Sequence, residues 1–283
     1  SVVWASGARG TVIRTTDGGA HWTAMRVPGA DSLQFRDLHA LDAERAWLMS
    51  AGNGPASQIW YSADGGQNWT QQFRNGSTKA FYDCMAFWDE KHGIALSDGV
   101  DGIFPMLITR NGTSWGLLSD AASPPSRPGE GSFAASGTCL VTRGDKLAWF
   151  GTGAAVAGNA RVFRTTDEGR SWQGADTPIV TDASSGIATV AFRDDRRGVA
   201  MGGNIAKPDT VLLNGKVVTL DPAGTIAEAL AVREGRIVAV GTSAAILERA
   251  GSATERIDLE GKTVVPGLAD NHYHSIGGGP GVD

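Results

Sequence analysis

Along most of the chain, short apolar runs alternate with polar, glycine-rich turns, and the runs recur in a fixed order. One kind of run leads into a turn: Thr11-Val12-Ile13-Arg14, Gln58-Ile59-Trp60-Tyr61, Met106-Leu107-Ile108 and Arg161-Val162-Phe163-Arg164. Between these lie paired runs. Leu38 to Asp42 is followed by Trp47-Leu48-Met49, Cys84 to Asp89 by Ile94-Ala95-Leu96, Cys139-Leu140-Val141 by Trp149-Phe150-Gly151, and Thr189 to Phe192 by Val199-Ala200-Met201. None is long enough for a stable helix, and short strands at regular spacing with turn signals between them predict an all-β fold.

The turn after the first kind of run has its own frame, Thr/Ser-x-Asp-x-Gly-x-x-Trp. It occurs as Thr15, Asp17, Gly19 and Trp22, as Ser62, Asp64, Gly66 and Trp69, and as Thr165, Asp167, Gly169 and Trp172. A damaged copy, Thr109 to Trp115, has Asn111 for Asp and is one residue short. The copies start 47, 47 and 56 residues apart. Repeats of that length, several strands each, predict a β-propeller of about four to five blades. The residue types suit a folded turn: Asp and Thr/Ser oxygens accept backbone N–H groups, Gly permits positive φ, and Trp offers a large face for packing. These twelve positions read as structural. The segment from Asp120 to Gly131, rich in Pro and Gly, reads as an insertion in solvent.

The pattern stops at about residue 207. All nine Trp and nine Phe lie at or before Phe192, and the only aromatic residue beyond it is Tyr273. After the break, Asn214-Gly215, Glu234-Gly235 and Glu260-Gly261 each separate two apolar runs and predict three hairpins, with a short helix from Ala244 to Ala250. The boundaries expected are 1–207 for the repeat region, 208–265 for a small β-sandwich-like sheet unit, and 266–283 for a further strand. That last stretch holds Asn271-His272-Tyr273-His274. Residues i and i+2 of a strand share a face, so His272 and His274 can reach one metal ion such as Zn²⁺.

Net charge is −5 with 19% charged residues, which gives no basis for a nucleic-acid surface, and no apolar run is long enough to span a membrane. The chain opens at Ser1 in an apolar run, as though its beginning were missing, so compartment is left open. Cys84 and Cys139 hold matching places in successive repeats, with Leu38 and Thr189 taken as their counterparts. Two buried thiols is the expectation, and a bridge would require an exported chain.

The boxes resemble those of Asp-box (BNR) repeat propellers, which include sialidases and the photosystem II assembly/stability-factor-like group. Phe87 to Asp98 is most similar to the latter. The resemblance covers about residues 1–207 and implies a propeller more firmly than any activity. A sialidase-like glycosidase is the least favoured reading, because Tyr61 and Tyr82 are the region's only tyrosines, Tyr61 sits on a structural strand, and Arg14 and Arg164 read as exposed strand residues. From about 209 the chain resembles the amino-terminal part of amidohydrolase-superfamily enzymes, near the imidazolonepropionase-like and N-acyl amino acid deacylase-like branches. That resemblance implies that His272 and His274 are two metal ligands ending the first strand of a TIM barrel, and that a metal-activated water attacks a C–N bond. The remaining ligands would lie beyond residue 283. The expectation is therefore a propeller that binds or scaffolds a protein partner, fused to an amidohydrolase fragment without activity of its own. The alternative is the amino-terminal part of a longer, active amidohydrolase, with a divalent metal as cofactor only if the full barrel is present.

Overall fold

The computed structural model describes residues 1–134, 137–153, 158–181, 185–204, 207–219, 221, 224–233, 235–251 and 253–265. The chain divides into two compact units, Ser1–Ile205 and Ala206–Asp283. The expected barrel strand at 266–283, with His272 and His274, lies outside the described residues.

The first unit is a series of antiparallel sheets. β1 (Val3–Ser6), β2 (Thr11–Thr15) and β3 (Thr23–Arg26) form a three-stranded sheet. Three four-stranded sheets follow, each meandering in chain order: β4 (Phe35–Ala40), β5 (Ala46–Ser50), β6 (Gln58–Ser62) and β7 (Thr70–Arg74); β8 (Tyr82–Phe87), β9 (Gly93–Ser97), β10 (Met106–Thr109) and β11 (Gly116–Leu117); β12 (Leu140–Arg143), β13 (Leu147–Gly151), β14 (Gly158–Thr165) and β15 (Gln173–Thr181). β16 (Ser185–Phe192) and β17 (Gly198–Asn204) form the fifth. This is blade architecture, with each Asp turn joining the last two strands of its sheet.

The core is divided by sheet interface. Trp4 and Val12 meet Phe35 and Leu48 between the first two sheets. Trp47, Met49 and Ile59 meet Tyr82, Met85 and Phe87 between the second and third. Ile94, Leu96 and Met106 meet Leu140, Phe150 and Phe163 between the third and fourth, and Trp149 meets Ile187 and Val190 between the fourth and fifth. Full burial of such a side chain stabilises by about 1.5–3 kcal/mol. The second strands supply residues to both faces, which is why β5 and β9 are buried along their whole length.

Cys84 and Cys139 form a disulfide that ties the third sheet to the fourth, with Cα atoms 6.2 Å apart. This corrects the expectation of two free thiols. The register also corrects one counterpart: Cys84 pairs with Leu96 as Asp37 pairs with Met49, so Asp37, not Leu38, holds the equivalent place. Nor is the Asp120–Gly131 segment a solvent loop. Phe104 N–H donates to the Pro124 carbonyl at 2.8 Å, Ser126 N–H donates to the Gly102 carbonyl at 2.9 Å, and Glu130 is buried against Arg161.

In the second unit, β18 (Thr210–Leu213), β21 (Ala229–Arg233), β22 (Arg236–Gly241) and β23 (Glu255–Asp258) form one sheet, while β19 (Lys216–Val218), β20 (Ile226–Ala227) and β24 (Thr263–Val264) form another. Only the middle expected hairpin, β21–β22, is a hairpin. Strands flanking Asn214-Gly215, and those flanking Glu260-Gly261, pass from one sheet into the other. They do so side by side and in parallel, β18 beside β23 and β19 beside β24. Asn214 and Glu260 both adopt left-handed backbone, at φ 56° and 51°, and Gly261 N–H donates to the Asn214 carbonyl at 2.7 Å. The local signal for a turn is read correctly; what it turns is a pair of strands around a corner. A short helix, α1 (Ser243–Leu247), starts at Thr242, whose hydroxyl accepts the Ala245 N–H, and buries Ile246.

Candidate functional site

Each Asp turn closes on itself. In the second, the Ser62 hydroxyl lies 2.9 Å from Asp64 Oδ1 and accepts the Gly66 N–H at 2.9 Å. Asp64 Oδ1 accepts the Asn68 N–H and Oδ2 accepts the Asn68 side-chain amide. The first and last turns repeat this, with His21 Nδ1 or the Ser171 hydroxyl on the second oxygen of Asp17 or Asp167. Thr15 and Thr165 each take the N–H of Gly19 or Gly169 at 3.0 Å. These bonds to the ionised form hold Asp17, Asp64 and Asp167 below the ordinary carboxylate range; for Asp167 they outweigh a partial burial that acts the other way. Asn111 in the damaged copy still accepts the Thr113 and Ser114 N–H groups at 2.9 Å, because its Oδ1 serves as well as a carboxylate for that purpose. Both oxygens of each Asp are engaged within the turn, which gives it no ligand chemistry.

The closing tryptophans differ. Trp69 meets Trp4 edge-on at 6.4 Å, and Trp172 meets Phe150 at 5.1 Å, each in the interface with the preceding sheet. Trp22 is 47% exposed. Its sheet has no preceding neighbour among the described residues, so its face pins nothing there.

A second turn recurs that composition alone does not advertise. Asp42 accepts the Glu44 and Arg45 N–H groups, Asp89 those of Lys91 and His92, and Asp194 those of Arg196 and Arg197. The basic residue three places on returns to the same carboxylate each time. An Asp followed at that distance by Arg or His, between paired apolar runs, is the signal by which it can be found. The two turns dock: Gly65 N–H donates to the Glu44 carbonyl at 2.8 Å, Gly112 to Lys91 at 2.9 Å, and Glu168 to Lys146 at 3.1 Å.

Arg14 and Arg164 are not exposed strand residues. Arg14 lies over the Trp4 ring at 5.3 Å and Arg164 over Trp149 at 5.9 Å, each opposite its tryptophan in the ladder. Tyr61 packs against Trp47 in a tilted pair with centroids 4.7 Å apart, and the Tyr82 hydroxyl is pushed up to about 12 by burial. Neither tyrosine is poised as a nucleophile with an arginine cluster before it.

Among the described residues, two carboxyl groups meet where solvent is largely excluded. Asp83, at the β8 bulge, and Asp98 share a hydrogen bond, and Asp98 Oδ1 accepts the Ser132 N–H at 2.9 Å. Burial, then the Asp98 charge, pushes Asp83 well above the usual carboxylate range; burial also raises Asp98. Glycoside hydrolysis uses carboxyl groups held about 5 Å or more apart. A pair in direct hydrogen-bond contact leaves no room for a sugar or water between them. Burial similarly brings Asp37 up to about 6 although it accepts the Met85 and Leu38 N–H groups. Sequence reasoning missed this set, since nothing in the spacing of Asp37, Asp83 and Asp98 marks them apart from turn residues.

Among the described residues no group of three or more His, Cys, Asp or Glu is arranged to hold a metal ion. His21 and His92 are bound to Asp17 and Asp89, and His39 stacks on Phe87 at 4.7 Å. No helix among the described residues is long and apolar enough to cross a membrane.

No protein-family profile matches the chain. Among curated proteins it is similar to Protein LONG AFTER FAR-RED 3 of Arabidopsis thaliana, 44% identical over 71 residues, which is 25% of this chain and 12% of that protein. It is also similar to N-substituted formamide deformylase of Arthrobacter pascens, 41% identical over 66 residues, 23% of this chain and 12% of that enzyme. The matched part thus spans about an eighth of the length of these relatives. Among solved structures it is similar to YCF48 with a D1 peptide bound, at 14% identity over 72% of this chain and 87% of that one, TM-score 0.35. YCF48 from Cyanidioschyzon merolae is 15% identical over 71% and 76%, TM-score 0.40. The blade architecture itself rests on the sheet order described above. One chain therefore carries two likenesses, to propellers in its larger part and to amidohydrolase-type proteins over a short segment.

Proposed function

We propose that residues 1–205 form a binding or scaffolding module for a protein partner, fused to the first part of a metal-dependent amidohydrolase whose two ligands here are His272 and His274. The observation that carries the first half is that every Asp of the repeated turns is spent within its own turn, while the Asp83–Asp98 pair is too close for glycoside chemistry. YCF48 has been solved with a peptide bound, which accords with a propeller that recognises protein. The second half is supported by 41% identity to N-substituted formamide deformylase over 66 residues.

On this reading these 283 residues alone turn over no amide. A metal, when bound in the complete site, would supply a Lewis acid and an activated water; His272 and His274 would give two of its ligands and leave the rest of the shell to other residues. The test is to titrate Zn²⁺ into the chain by calorimetry and to assay an N-substituted formamide with Zn²⁺ present. Weak zinc binding that disappears in the His272→Ala/His274→Ala double variant, without hydrolysis, is expected. Zinc-dependent turnover by this chain would overturn the inactive half of the proposal.

A further inference from the structure

The fifth sheet breaks the pattern of the other four in a way that exposes a specific edge. Its register aligns it with them: Gly198 pairs with Phe192 as Gly93 pairs with Phe87, and Ala200 with Val190 as Phe150 with Leu140. β17 is therefore a second strand, equivalent to β5, β9 and β13. Those three each have a third strand on the other edge, whereas among the described residues nothing pairs with the outer edge of β17. The face of β17 that corresponds to the one the other second strands turn to the following sheet is uncovered as well. Val199 corresponds to Trp47, Ile94 and Trp149, all buried, yet it is 58% exposed; Met201, the counterpart of Met49 and Leu96, is 62% exposed.

The three intact ladders state what such an edge takes. Opposite the position of Met201 stand Ile59, Met106 and Val162; opposite that of Ala200 stand Trp60, Leu107 and Phe163; opposite that of Gly198 stand Ser62, Thr109 and Thr165. Each such strand runs antiparallel and enters an Asp turn, whose fourth residue donates its N–H to a carbonyl in the first turn of the sheet, Glu44, Lys91 or Lys146, the first two of these just before the Arg or His that closes that turn. In the fifth sheet Arg193 N–H donates to the Arg197 carbonyl as Trp88 does to His92, so the corresponding acceptor is the Arg196 carbonyl. Beside it lies an open cleft lined by Ala191, Phe192, Arg193, Arg197, Gly198 and Val199. Strand edge and cleft together have the outline of a strand followed by its Asp turn.

We infer that the β17 edge and the Arg193–Arg197 turn bind an extended segment from a protein partner, added antiparallel as a third strand. Its chemistry is an aliphatic residue, a large apolar residue, any residue, then Ser or Thr opening an x-Asp-x-Gly turn. Main-chain bonds give such strand addition its affinity, and the alternate side chains give specificity. This rests on the reading of residues 1–205 as a binding module and names its partner; it does not depend on the hydrolase half, whose assay fails or succeeds separately.

The probe is a synthetic peptide of this chain's own sequence from Arg161 to Trp172, titrated into the full chain and read by calorimetry. One-to-one binding is expected, weakened at least tenfold by Met201→Asp in the chain or by Asp in place of the peptide's Phe, with the circular dichroism of the chain unchanged. To separate loss of binding from unfolding of a substituted strand, a second measurement leaves the chain intact. N-methylation of the peptide at the positions of Val162 and Phe163, one at a time, should abolish binding at one and spare it at the other, since adjacent N–H groups of a strand point to opposite edges. Absence of binding by the folded chain, or equal effects of the two methylations, would overturn the proposal. A chain that self-associates and is released as monomer by the peptide supports it; a dimer indifferent to the peptide counts against it.

Discussion

Arg161 holds Glu130 across 31 residues of sequence, its Nε 2.9 Å from Oε1, and its Nη2 also reaches the Pro125 carbonyl at 2.9 Å. The pair fastens the Asp120–Gly131 insertion to the middle of β14. Burial pushes the Glu130 carboxyl up, but the Arg161 guanidinium and the Arg127 N–H outweigh it and leave the group below its ordinary value. Replacing Arg161 by Ala leaves a buried carboxylate unpaired and is expected to cost about 3–5 kcal/mol in urea unfolding. Glu130→Gln with Arg161→Met together should cost much less. Equal losses in the two variants would show that the insertion, not the ion pair, carries the effect.

The Asp turns predict a graded response. Ser62→Ala removes the acceptor of the Gly66 N–H in a buried place and should destabilise by about 1 kcal/mol. Asp64→Asn should change the melting temperature far less than Asp64→Ala, because Asn111 already makes the corresponding bonds in the third turn. A melt in which Asn and Ala are equally harmful would mean that charge, not hydrogen-bond geometry, holds the turn.

The pH profile should show a maximum in the acid range. Asp37 and Asp83 have folded-state values raised above their unfolded ones, so their contribution is fully present below about pH 4 and is lost as pH rises, through about 6 for Asp37. Asp17, Asp64 and Asp167 have lowered values, so theirs is present above about pH 4 and lost as pH falls. Melting temperature is expected to rise from pH 7 towards pH 5 and to fall again below 4. Asp83→Asn, a neutral isostere beside Asp98, should raise stability at pH 7 and flatten the rise. A profile unchanged by that substitution would remove Asp83 as its source.

Reduction of the Cys84–Cys139 disulfide opens a loop of 55 residues. The chain-entropy account puts the loss at about 4 kcal/mol. Urea unfolding of the first unit with and without dithiothreitol checks this, and Cys84→Ala/Cys139→Ala should match the reduced protein in direction.

Features that depend on a residue type at a fixed offset were legible before the structure. The Asp turns and the strands leading into them belong to this class, because only certain side chains can close a turn or fill a blade interface. Relationships between distant strands were not. The bond from Cys84 to Cys139 depends on how two sheets meet, and the Asp83–Asp98 pair depends on a bulge that spacing does not reveal. Asn214-Gly215 and Glu260-Gly261 mislead for a related reason. A two-residue turn signal reports left-handed backbone, and whether the strands beyond it pair or part is decided by their neighbours. Gly215 illustrates this, since an added Cβ there would meet Leu259 Cδ1 at 2.3 Å.

One core cluster per sheet interface has a consequence for how the first unit comes apart. Each sheet is coupled to the next and to little else, so the unit behaves as a row of links whose stability is a sum of local terms, and loss can spread inward from an end. β17, with its exposed face, is where that spread begins most easily. The disulfide crosses the link between the third and fourth sheets, so fraying that starts at the fifth gains less chain entropy once it passes Cys139. Amide exchange should therefore fall in a step across Cys139 rather than along a smooth gradient.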